Sequence, residues 1–143
     1  MAYAVQADLE QRFGEAELVR LTDRASPPTG QIDAAVVSRA IADAEAEING
    51  YLASRYTLPL GSVPELLTRL ACDIARYLLY DDVAPDQIRD RYKDAVTLLK
   101  GIAEGKVSLA IDPTLQPAPQ AETDVVAIRS ADRAFPKSTL DGF

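Results

Sequence analysis

Five aspartates crowd the later half of the chain: Asp81 and Asp82 side by side, then Asp86, Asp90 and Asp94 at steps of four. Carboxylates in such numbers are the raw material of a hard-cation site. A calcium loop, however, also needs a glycine at its sharp turn and a closing bidentate glutamate, and this stretch has neither. Steps of four place the last three aspartates on one face of a helix. Arg89, Arg91 and Lys93 lie beside them and offset their charge, so the pattern reads as a solvated face. No metal site is assigned.

Cys72 is the one cysteine, and the chain has no histidine. A thiol needs a base or a positive neighbourhood to become a nucleophile. Cys72 lies instead in an apolar helical run and reads as a core thiol. Ser38, Ser54, Ser62 and Ser108 lack a GxSxG turn and a base to activate them. No glycine-rich phosphate loop is present. Without histidine, most zinc sites and the usual general base at neutral pH are gone. The sequence therefore assigns no catalytic residue and no cofactor, and the chain is not read as an enzyme.

The 143 residues suffice for one domain with a real core. No apolar run approaches the ~20 residues of a membrane span, and the N-terminus resembles no signal peptide. A single cysteine makes no internal disulfide. These features predict a protein made in a cytoplasm, with no membrane partner. The net charge of -7 disfavours nucleic-acid binding, because phosphate attraction is lost. Residues 1–112 hold 18 acids and 12 bases, whereas residues 113–143 hold 4 and 3.

Helical periodicity organises the first 112 residues. Leu9 and Phe13 mark a short helix stopped by Gly14, and a second follows to Thr22-Asp23. Ala25 to Gln31 is a loop. The strongest helix runs from about Asp33, a good N-cap, to Arg55, with Val37, Ile41, Ala44, Ile48, Tyr51 and Leu52 on one stripe. Gly50 costs about 1 kcal/mol there relative to alanine, so a close helix contact is expected at it. In the following TLPL, Pro59 pushes Leu58 toward extended geometry and ends the helix near Tyr56 or Thr57, while Leu58 and Leu60 plug the end of the core. Pro64 opens a helix burying Leu67, Leu70, Ile74, Tyr77 and Leu78, with Ala71 and Cys72 beside them. Pro85 opens the last, carried by Ile88, Tyr92, Ala95, Leu99 and Ile102 and stopped by Gly105. Lys106 to Asp112 has the composition of a short strand. The fold class predicted is all-α, a bundle of four to five helices.

Two regions carry the candidate interaction residues. Tyr51, Arg55 and Tyr56 cluster where the long helix ends. Tyrosine and arginine are enriched at interface hot spots, but half-buried tyrosines closing a helix end have the same spacing, and spacing alone favours the second reading. Past Asp112, prolines at 113, 117 and 119 define a linker. An apolar cluster follows (Val125, Val126, Ile128), then Arg129, Arg133, Phe135, Leu140 and Phe143. Residues 113–143 are thus predicted to be an extended, proline-rich arm that docks on another molecule, with Val125 to Ile128 suited to adding a strand to a sheet edge.

The stretches YAVQADLEQRFGEAELVRLTDR, AIADAEAEINGYLASRYTLPL and RYKDAVTLLKGIAEGKVSL, with the ending RAFPKSTLDGF, resemble a family of small proteins from Mu-like phages and prophages. That family is similar to the head–tail connector, or adaptor, proteins of tailed phages. The resemblance implies a structural virion protein at the head–tail interface. It implies a dodecameric ring beneath the portal through which DNA passes without sequence-specific binding. Its partners would be the portal protein, neighbouring connector subunits and a downstream neck or tail protein. By the same resemblance Arg129, Arg133, Phe135, Leu140 and Phe143 are docking residues. The alternative is a small acidic phage-encoded inhibitor or DNA mimic that binds a host protein. Against it, the acids are interleaved with bases rather than laid out as a phosphate-like ladder.

Overall fold

The computed structural model describes residues 2–111. The expectations for the arm, including Val126, Ile128, Arg129, Arg133, Phe135, Leu140 and Phe143, fall outside these residues. Within them the protein is all-α. Its helices are α1 (Gln6–Phe13), α2 (Glu15–Thr22), α3 (Ala34–Leu52), α4 (Glu65–Tyr80) and α5 (Asp86–Ala103), with a 3₁₀ turn at Asp81–Val83.

Local chemistry sets the boundaries. The Asp8 carboxylate accepts the Val5 amide and caps α1. Gly14, at φ +89°, lets the chain pass straight from α1 into α2. The Asp33 carboxylate accepts the amides of Ala35 and Val36 and caps α3. Pro64 and Pro85 each stand one residue ahead of their helices, where the carbonyl accepts the first intrahelical bonds.

Three cross-links fix the helix directions. Tyr92 of α5 bonds Glu47 of α3, and Leu109 beyond α5 bonds Tyr56 beyond α3. Both numbers rise together, so α3 and α5 run the same way. Tyr77 stacks on Tyr92 across the short connection between α4 and α5, so α4 runs opposite to both and packs on each. The α1–α2 pair covers α3 and α4. Ile48, Leu52, Leu67, Leu70, Ile74, Leu99 and Ile102 lie at the centre and are almost fully excluded from solvent. Each such side chain contributes about 1.5–3 kcal/mol by burial. Leu60 is buried and Leu58 packs against the core, as plugs at the end of the α3–α4 connection.

The structure corrects four expectations. Residues 106–111 form no strand; among the described residues there is no second strand to pair with, and the Leu109 amide goes to a tyrosine hydroxyl instead. Helix α3 stops at Leu52 rather than near Arg55. Its last turn tightens, with the amides of both Arg55 and Tyr56 bonding the Leu52 carbonyl. Gly50 faces open solvent, with nothing within 4 Å of where a Cβ would stand, so no close helix contact explains it. Finally, α4 buries Ala75 and Leu79 while Tyr77 and Leu78 are only partly covered. The apolar stripe is rotated toward α1 and α2, leaving Tyr77 at the edge.

Candidate interaction surfaces

Three polar-aromatic groups stand out among the described residues. The first joins α2 to α4. Arg76 donates to both carboxylate oxygens of Glu17, at 2.8 and 3.0 Å. The Tyr80 hydroxyl donates to the same carboxylate at 2.8 Å and accepts from Arg20 at 3.3 Å. The Arg76 guanidinium also lies over the Phe13 ring, 4.2 Å from its centroid. Planar fork, carboxylate and ring together fix the α1–α2 pair on α4.

The second group joins α3, α4 and α5. Tyr77 and Tyr92 stack at 4.1 Å, and the Tyr92 hydroxyl donates to Glu47 at 2.9 Å. Burial, then the bond to Glu47 and that residue's charge, push the Tyr92 phenol up to about 12. Tyr51, one turn beyond Glu47, is half-buried.

The third lies at the corner where α3 ends, and it separates the predicted trio. Tyr56 is buried, and its hydroxyl accepts the Leu109 amide at 3.1 Å. Arg55 is exposed, and its guanidinium lies against Gly105, where any Cβ would collide with it. Thus Tyr56 ties the end of α3 to the segment leaving α5, and Arg55 lies over the turn at Gly105. Neither placement is visible from local spacing, because Gly105 and Leu109 lie some fifty positions later.

Among the described residues, no group of three or more His, Cys, Asp or Glu side chains is placed to hold a metal. Asp86, Asp90 and Asp94 are exposed along α5, and Asp86 pairs with Arg89 at 3.5 Å. Cys72 is buried and free. Burial pushes its thiol up to about 11, only partly opposed by Arg12. No described helix is long and apolar enough to cross a membrane.

The described residues also form two surface grooves. One, of about 580 Å³, is bounded by Tyr80, Pro85, Ile88 and Arg91 at the α4–α5 connection. Val83 beside it is 82% exposed. The other, of about 550 Å³, runs along α5 over Leu98, Gly101 and Val107. Sequence periodicity finds neither, because each is made where the chain turns back on a helix.

Helices, caps and surface groups together define a small all-α protein whose polar side chains mainly tie one helix to another. The chain belongs to the bacteriophage Mu Gp36 family, whose pattern matches residues 3–128. It is similar to gene product J of Escherichia phage Mu, at 38% identity over 135 residues, covering 94% of each chain. It is also similar to the Mu-like prophage FluMu protein gp36 of Haemophilus influenzae, at 37% identity over 120 residues and 82% of each chain.

Proposed function

We propose that this phage protein is a structural component of the virion, a head–tail connector subunit that forms a ring beneath the portal. Its helical body is a spacer and its C-terminal residues are the attachment. The observation that carries this reading is how the apolar residues are divided. Those of residues 2–111 are largely consumed in one core, while Phe135, Leu140 and Phe143 stand with Arg133 and Lys137 past three prolines. Such a segment gains affinity by wrapping a partner, at an ordering cost met on binding. Repetition around a ring multiplies modest contacts. A net-negative body lets duplex DNA slide past, since no counterions are released by contact.

The test is complementation of a phage lacking this gene with the full chain and with a chain ending at Ile111. The full chain should restore infectious particles. The shortened chain should give filled heads without tails and should be missing from purified particles. Normal particles containing the shortened chain would refute attachment through the C-terminal residues. A stable complex with a host DNA-binding protein, and no copies in the virion, would favour the inhibitor reading instead.

A further inference from the structure

The α5 groove has an apolar floor and a polarised rim. Leu98, Gly101 and Val107 form the floor, Asp94 stands at one end, Thr97 and Lys100 lie along the middle, and Glu104 and Lys106 stand at the other end. Lys106 bonds Glu104 at 2.6 Å, so its ammonium is held at that end, with two further donors to offer. Asp94 and Glu104 are ten positions apart, about 15 Å along a helix. The described chain ends at Ile111, four residues past Val107 in the groove floor.

The sequence beyond contains one segment that matches this frame. Asp124-Val-Val-Ala-Ile-Arg129 is apolar between an acid and a base. Fully extended, its ends are about 17 Å apart. Alternation puts Val126 and Ile128 on one face. Residues 112–123 can span up to about 40 Å, more than enough to return to α5. The polarity agrees as well: Asp124, nearer the exit, falls at the Lys106 end, and Arg129 reaches Asp94.

We propose that residues 124–129 lie along the α5 groove of their own subunit. Val126 and Ile128 cover Leu98, Gly101 and Val107, Asp124 pairs with Lys106, and Arg129 pairs with Asp94. This differs from strand addition to a partner's sheet, and it leaves Arg133 to Phe143 as the portion that projects. The α5 groove then acts as an anchor that shortens the free arm, reducing the ordering needed when its tip meets a partner.

Backbone NMR and amide exchange on the full-length chain test the seating. In the wild type, amides 125–128 should exchange about tenfold slower than those of an unstructured segment, independently of protein concentration. V126D/I128D should abolish that protection and shift the Leu98, Gly101 and Val107 resonances while leaving α1 to α4 unchanged. Asp94→Arg should weaken protection, and adding Arg129→Asp should restore it. Unprotected amides in the wild type, or groove resonances indifferent to V126D/I128D, would overturn the proposal. Protection that rises with concentration would overturn seating in the same subunit and assign the groove to a neighbour's segment.

Discussion

The Tyr56 hydroxyl accepts the Leu109 backbone amide at 3.1 Å, joining positions 53 apart in a buried setting. This bond satisfies a main-chain donor that has no ladder to join. Tyr56→Phe keeps the ring and strands the amide, at an expected cost of about 1–3 kcal/mol. Urea denaturation should show the loss, and exchange should accelerate first at residues 107–111. Unchanged protection there would contradict the assignment.

Arg76 and Glu17 should behave as one unit. Either alanine substitution is expected to cost about 2 kcal/mol, since each leaves a largely covered charge without its fork. The double substitution should cost less than the two singles summed, with a coupling of about 1 kcal/mol or more. Strict additivity would mean the bidentate contact does not persist in solution.

Tyr92 predicts an alkaline weakness. Its folded-state pKa, about 12, lies above the ordinary value of 10.0. A raised value makes the protonated phenol the stabilised form. The contribution is therefore complete below pH ~10 and is lost as pH rises toward ~12. Unfolding free energy measured across that window should fall more steeply for the wild type than for Tyr92→Phe. Equal slopes would disprove the link.

Cys72 should be silent toward thiol reagents in the native state. A shift from 9.0 to about 11 lowers the thiolate fraction about a hundredfold, and burial blocks access besides. Labelling should appear only with unfolding. Rapid stoichiometric labelling of folded protein would show that α4 opens locally.

Gly50→Ala is expected to stabilise the protein by roughly 0.5–1 kcal/mol, because the site is helical and nothing stands within 4 Å of an added Cβ. A lower Tm would point to a backbone requirement that the static structure does not display.

Helices were the most legible part of the chain. Asp33, Gly14, Pro85 and Gly105 announce helix ends through short-range chemistry, and the stripes of α3 and α5 follow from periodicity. Two of the misreadings share one physical cause: long-range partners. Lys106–Asp112 has a strand's composition, yet a strand exists only by pairing, and Tyr56 claims the Leu109 amide. Tyr77 falls on α4's apolar stripe but packs against Tyr92 at the margin. Gly50 invited an explanation by close packing that its neighbours do not supply. The same limit applies to the surface. Arg55 and Tyr56 were noticeable by type, but their roles depend on Gly105 and Leu109. The Glu17–Arg76–Tyr80 group carries no local signature at all, since its members meet only when α2 lies down on α4.

Gly105 takes a φ of +78° and has the Arg55 guanidinium where a side chain would be. The positive φ favours glycine at the turn where α5 gives way to the segment that runs back to Tyr56. Every copy of the protein thus turns off α5 at the same place and returns Leu109 and Ile111 to the core. In a symmetric assembly that uniformity would give each subunit the same closed end, sealed before any partner arrives.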